Sequence, residues 1–398
     1  MEKGGGIMLD PALALKPKTL RVRVKEGENI TGTSHLPMDA DTDGVAIEKA
    51  IQLARDSAFE EELYHEMSIE SRQLMAYGVE YRDSVIHVKA GEHSGRKLLI
   101  DCIPRENSIV PSQNHIHDWL AQNVAEGLRL LLAHEHSMRL HRRSQLPQPL
   151  TGQKRDIPPP ALLRTLLAIF KHLEGVDSLF GYLEAIAKTL ESAGMAVQLD
   201  TTREVSWARL AESLQMSSKE STSATDRLLD IFLKPFDGKA VLSLLSLSGA
   251  QPEEIEISTR TLIGQPTFGT EHRLTLPPSL VAELGLFRQL KFSAVEDAIS
   301  YLEWVLSLHV ARRLLKHAFA PRATIKGKDS RVTIQSRGTK KAPAADYDIM
   351  VELQDGKLEV SAFHVNSKTP AEDGSQSQVW TGQDVETSLL DTIKSWVG

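Results

Sequence analysis

From Thr19 to Lys25 apolar and charged residues alternate, with Leu20, Val22 and Val24 set against Arg21, Arg23 and Lys25. A period of two predicts a strand with one buried face. The stretch "EGEN", 26–29, follows as a turn, and "ITGTS", 30–34, as the returning strand. The period then changes. Ile47, Ile51, Ala54, Ala58, Leu63, Met67 and Leu74 fall mainly on three- and four-residue steps, which predicts a helix over about 46–75, stopped at Gly78. "DSVIHVKAGEHSGRKLLIDCIP", 83–104, reads as a hairpin with Gly91 and Gly95 in its connection. A second helix, from about His115 to Arg143, carries the stripe Ile116, Trp119, Leu120, Val124, Leu128, Leu131 and Met138. At about 1.5 Å per residue each helix is roughly 45 Å long. That exceeds what one compact domain needs, so both are expected to bridge modules or receive other chains.

"SQLPQPLTGQKRDIPPP", 144–160, holds five prolines and reads as a linker. Beyond it the pattern predicts two helices ended by Gly175 and Gly194. Short strand-like runs follow: "MAVQLDT", "RLLDIFL", "KAVLSLLSL", "EIEIST" and "HRLTL". A long helix is expected from Ser293 to about Phe319. The tail predicts "RVTIQS", a hairpin in "YDIMVELQDGKLEVSAFHV" turning at Asp355-Gly356, "VWTG", and a helix from Asp384 to Trp396. The fold class is therefore α+β: long bridging helices plus small mixed sheets flanked by helices. The repeated rhythm of helix, short strands and helix, with 293–319 shared, points to two related α/β modules. The expected segments are 1–110 (strand, long helix and hairpin), 111–146 (long joint helix), 147–160 (Pro-rich linker), 161–319 (first α/β domain) and 320–398 (second).

Composition narrows the chemistry. The 398 residues are 41% hydrophobic and 25% charged, as in an ordinary globular chain. Cys102 is the sole cysteine, so intrachain disulfides and multi-cysteine metal schemes are excluded. It sits in an apolar run and reads as inert core. No apolar run reaches the length of a membrane span, and "MEKGGGIMLD" lacks a signal-peptide core. The net charge of −7 argues against reliance on phosphate contacts. Arg139, Arg142, Arg143, Lys154 and Arg155 read as a solvated helix end and linker.

Two local motifs invite a metal. "LAHEHSMRLHRR", 132–143, holds His134, Glu135, His136 and His141, but Met138 stands where the second histidine of His-Glu-x-x-His belongs. His136 points to another side of the helix, and His141 lies roughly 10 Å along from His134, too far for one zinc ion. "DADTDG", Asp39 to Gly44, matches the first half of an EF-hand loop through Asp39, Asp41 and Asp43. Position 12 of that loop is Ala50, and Glu48 comes two residues early. A calcium- or metal-binding protein using this loop is thus the alternative reading; otherwise the acids cap the first long helix. "FEEELYHE", 59–66, reads as a solvated acidic face. Phosphate-loop, dinucleotide and nucleophile-turn motifs are absent. No catalytic, cofactor or metal residue is assigned, and an enzyme is not expected. The expected partner interface is Leu131, His134, Met138 and Arg142, on the second long helix.

"LDPALALKPKTLRVRVKEGENITGTSHLP" and "ARDSAFEEELYHEMSIESRQLMAYGVEY", followed in order by "RKLLIDCIP" and "PPPALLRTLLAIFKHLEGVDSLFGYLEAI", resemble the fungal form of the subunit 17 family of the Mediator complex. The resemblance runs from about Leu9 to Ala193. It implies a scaffold of the Mediator head module, a nuclear transcription coactivator that joins general transcription factors to RNA polymerase II. It also implies partners such as head subunits 6, 8, 11 and 22 and supplies no catalytic residues; no cofactor, no direct specific nucleic-acid contact and no membrane are expected. Family members carry a further N-terminal helical region, so the resemblance is to the C-terminal part of that subunit and implies a truncated or engineered chain.

Overall fold

A computed structural model describes residues 16–35, 46–91, 95–107, 115–144, 160–203, 236–244, 252–263, 269–325, 329–336, 346–365, 376–383 and 387–398. The described residues divide into two compact units, one up to Phe170 and one from Lys171. The architecture is α+β as expected, and each described strand pair is antiparallel.

The first unit is one five-stranded sheet and two long helices. Strands β1 (Lys18–Glu26), β2 (Asn29–Thr33), β3 (Val79–Arg82), β4 (Val85–Lys89) and β5 (Arg96–Pro104) lie in the order β2-β1-β5-β4-β3. The alternation in β1 does what its period requires. Leu20, Val22 and Val24 are buried and stand opposite Cys102, Ile100 and Leu98 of β5. On the other face Arg21 and Arg23 close over the buried Asp101, at 2.6 and 2.8 Å. Helix α1 (Ala46–Ser71) lays Leu63 and Met67 on the apolar face, and α2 (Asp118–Ser144) adds Ala121, Val124, Ala125, Leu128 and Leu132. A short 3-10 turn, Met75–Tyr77, follows α1 and stops at Gly78, whose φ of 81° suits a residue without Cβ. The hairpin strands β4 and β5 were expected; β3, four residues long, was not.

Helix α3 (Leu163–Ser192) contributes residues to both units. It is one helix where two were expected, because Gly175 continues it rather than ending it. Glycine costs about 1 kcal/mol inside a helix, and the buried Val176, Leu179, Phe180 and Leu183 just beyond it outweigh that.

The second unit holds two five-stranded meanders, in which neighbours in sequence are neighbours in space. One has β6 (Val197–Thr202), β7 (Phe236–Leu244), β8 (Glu253–Leu262), β9 (Gly269–Thr275) and β10 (Gln289–Phe292), with helix α4 (Pro278–Leu284) before β10. The other has β11 (Ala323–Thr324), β12 (Arg331–Gln335), β13 (Asp346–Gln354), β14 (Lys357–His364) and β15 (Gln376–Trp380). Helix α5 (Val295–His309) packs on β9 and β10 of one sheet and on β13 of the other. It is accordingly apolar around most of its girth, with Leu302, Val305, Leu306 and Leu308 buried. The expected single helix 293–319 is interrupted by a π segment, Val310–Leu315, before Lys316–Ala318. The predicted turn at Asp355-Gly356 is present, with both φ values positive (49° and 71°), as a two-residue hairpin of this kind requires. Helix α6 (Leu389–Val397) starts later than expected, capped by the Ser388 side chain. The "RLLDIFL" run, the Pro-rich linker apart from Ser144 and Pro160, and the Asp39–Gly44 loop lie outside the described residues.

Candidate partner-binding surface

Helices α1 and α2 are locked together by charge. Their contacts climb in the same direction. Glu60 meets Arg129 at 2.7 Å, Glu62 meets His136 at 2.9 Å, and Glu66 meets Arg139 at 3.8 Å. The two helices therefore run parallel. Phe59 adds an edge-on contact to the His136 ring. Glu60 is the exception to a solvated acidic face. It is 6% exposed and also accepts the Leu20 backbone N–H at 2.7 Å, so one carboxylate joins β1, α1 and α2. Glu70 is buried as well and accepts the N–H groups of Leu162, Leu163 and Arg164 at 2.8–3.1 Å. It satisfies the orphan donors that open α3. Burial pushes its carboxyl above the usual range, against the pull of those three donors. The Cys102 thiol is half-buried, and burial raises it to about 11, which keeps it un-ionised and unreactive at neutral pH.

The four residues expected at the interface take three different positions. His134 is buried within the chain at 4% exposure. Leu131 and Met138 are half-buried along a flank of α2. Arg142 is exposed, 3.5 Å from Glu135. The histidines of 134–141 diverge: His134 turns inward, His136 goes to Glu62, and His141 is exposed. Among the described residues no three His, Cys, Asp or Glu side chains converge on a point that could hold a metal ion.

The outermost apolar positions are others. Trp119 (62% exposed), Leu130 (48%) and Leu140 (65%) lie within about 80° of one another at about 100° per residue, opposite the buried Val124, Leu128 and Leu132. Helix α1 repeats the arrangement. Ile47 (68%), Ile51 (57%), Ala54, Ala58 and Ile69 (41%) share a face turned away from Leu63 and Met67. Almost every residue from Ile47 to Asp56 is exposed, so this end of α1 has little tertiary support. An unsupported stretch of about ten residues is marginal as a helix in water. Helix α1 thus carries an apolar seam on its own sheet and a second, outward one, whereas on α2 the exposed Trp119, Leu130 and Leu140 stand about 15–17 Å apart with Asn123, Glu126 and Ser137 between them. In α1 the signal was legible: the step of five residues from Ala58 to Leu63 rotates the stripe by about 140° and divides it in two.

The family model for "Subunit 17 of Mediator complex" matches residues 1–190. Curated relatives extend the match. The protein "Mediator of RNA polymerase II transcription subunit 17" of Aspergillus oryzae is 32% identical over 279 residues, 68% of this chain and 41% of that one. The chain belongs to the Mediator subunit 17 family. Its Aspergillus terreus relative is 29% identical over 329 residues, 80% of this chain and 49% of that one. The chain thus spans about half the length of the curated subunit 17 relatives it matches. A chain in a solved structure, "Structure of the Schizosaccharomyces pombe Mediator head module", aligns with a TM-score of 0.47 and 13% identity, over 74% of this chain and 60% of that one. No described helix is long and apolar enough to cross a membrane.

Proposed function

We propose that this chain is a scaffold of the Mediator head, acting in the nucleus as part of a transcription coactivator that links regulators and general transcription factors to RNA polymerase II. It works through protein–protein contacts, with head subunits such as 6, 8, 11 and 22 as partners, and reaches the polymerase through the assembled complex. Membership of the subunit 17 family supports this reading. The observation that carries it is the outward seam of α1, Ile47–Ile51–Ala54–Ala58, joined on α2 by the exposed Trp119, Leu130 and Leu140. An apolar stripe opposite a helix's own core is what a second helix needs for helix-in-groove docking. Leu131 and Met138, half-buried beside the exposed Leu130 and Leu140, would line the edge of such a groove.

Co-purification from nuclear extract tests the proposal. The chain with Leu130→Asp and Leu140→Asp should keep its circular dichroism and lose head subunits. The chain with Ile51→Asp should behave likewise on the seam of α1. Full retention of partners by both variants would overturn the assignment.

A further inference from the structure

We infer that the cavity between the C-terminal turn of α3, the end of α5 and the start of α6 is a binding site for a ring-sized aromatic group bearing one hydrogen-bond donor, a phenol being the simplest case. The cavity measures about 150 Å³, with walls that include Leu190, Met195, Leu306, Val310, Leu314 and Leu389. That volume is about that of an engineered apolar cavity which takes up benzene. It lies wholly in the second unit.

Two polar side chains stand in the wall, His309 and Ser388; the Ser388 hydroxyl is engaged by Asp391, at 2.8 Å to its carboxylate and 3.2 Å to its N–H, which leaves His309 to set the chemistry. His309 is the last residue of α5 before the π segment, a departure from regular helix that recurs at functional sites. Its Nδ1 is 3.3 Å from Glu253 Oε2. Burial would raise the Glu253 carboxyl, but His309, Ser279 and Arg313 outweigh it and bring it to about 2. A carboxylate beside Nδ1 keeps the imidazole proton on that nitrogen. In the neutral ring Nε2, across from Nδ1, then carries the lone pair available to a ligand's donor. Neither Nδ1 nor Oε2 has an aligned hydrogen bond among the described residues. Such a buried pair is costly as it stands, and a ring that engages Nε2 can draw the imidazole into line. The aliphatic walls select the ring, and His309 selects the donor.

Methyl-resolved NMR of the full chain titrated with p-cresol tests this, with toluene as the donor-free control. The expected result is shifts at the Leu306, Leu314 and Leu389 methyls and about fivefold tighter binding of p-cresol than of toluene, the worth of one hydrogen bond. His309→Leu should abolish the preference while toluene still binds, and Leu314→Trp should block both. N-acetyl-tyrosinamide separates the sources. Binding as tight as that of p-cresol assigns the site to a tyrosine of a polypeptide; exclusion of the capped residue assigns it to a free phenol. No shifts up to the solubility limit of p-cresol, equal affinity for toluene, or an unchanged preference in His309→Leu would each overturn the inference.

Discussion

Replacing Arg129 by Met isolates the contact that joins three elements of the first unit. Arg129 Nε donates to Glu60 Oε1 at 2.7 Å, and its side chain and that of Glu60 are 11% and 8% exposed. Its Nη1 reaches Glu126 at 3.0 Å. With the guanidinium gone, Glu60 remains buried with only the Leu20 N–H to stabilise its charge. Removing one partner of a buried pair costs about 3–5 kcal/mol. The double variant Glu60→Leu, Arg129→Met removes both charges and leaves the Leu20 N–H unpaired, at about 1–3 kcal/mol; the Leu20 carbonyl, which Arg129 Nη2 reaches at 3.5 Å, loses that contact in both variants. The double variant should therefore be more stable than Arg129→Met alone. Hydrogen exchange of the Lys18–Glu26 amides reads this locally, without interference from the second unit. Arg129→Met should speed exchange there by two orders of magnitude or more, and the second substitution should restore part of the protection. If Arg129→Met costs under about 1 kcal/mol, or if the two substitutions simply add, the pair is not the joint described here.

Three further outcomes follow from single residues. Gly175 lies in the middle of α3 with no atom within 4 Å of an added Cβ, so Gly175→Ala should stabilise by about 0.5–1 kcal/mol in chemical denaturation. Gly194 has φ +80°, and its Cβ would fall 2.9 Å from Ser388 Cβ, so Gly194→Ala should cost about 1–2 kcal/mol and speed exchange in α6. The Glu253 carboxyl lies below its unfolded value of about 4.5. Its contribution is present above that pH and is lost as pH falls from 4.5 towards 2. Acid melting of the second unit should begin below about pH 4.5, and Glu253→Gln should flatten that dependence while lowering stability at pH 7.

Period carried far where one face alone is buried. Strand β1 and the hairpin at Asp355-Gly356 follow directly from alternation and turn chemistry. It carried less far where burial surrounds an element. Around Gly175 the buried neighbours override a local stop signal, and after α5, which contacts two sheets, the helical spacing of apolar positions continues through Val310, Ala311, Leu314 and Leu315, so nothing in the pattern marks the π segment. Strands β3, β10 and β11, at four, four and two residues, are too short to display a period, and their partners rather than their composition define them.

The outward faces of the long helices were half legible for a related reason. A stripe on three- and four-residue steps assigns one face to a helix, and α1 and α2 use two. Ile47 to Ala58 and Leu63 to Met67 read as one series because each step within either part suits a helix; only the five-residue step between them marks the change of face. Composition does not break the tie, since Ile51 and Leu63 are equally apolar while one is 57% exposed and the other 0%. What breaks it is the sheet. Its apolar face extends only under the later turns of α1, and the small Ala121 and Ala125 let α2 approach closely where Trp119 could not. The first three turns of α1 carry an apolar seam that, among the described residues, finds no core in its own unit, and that is the surface we assign to another chain. This is why the outward faces, rather than any charged cluster, are where a substitution should separate binding from folding.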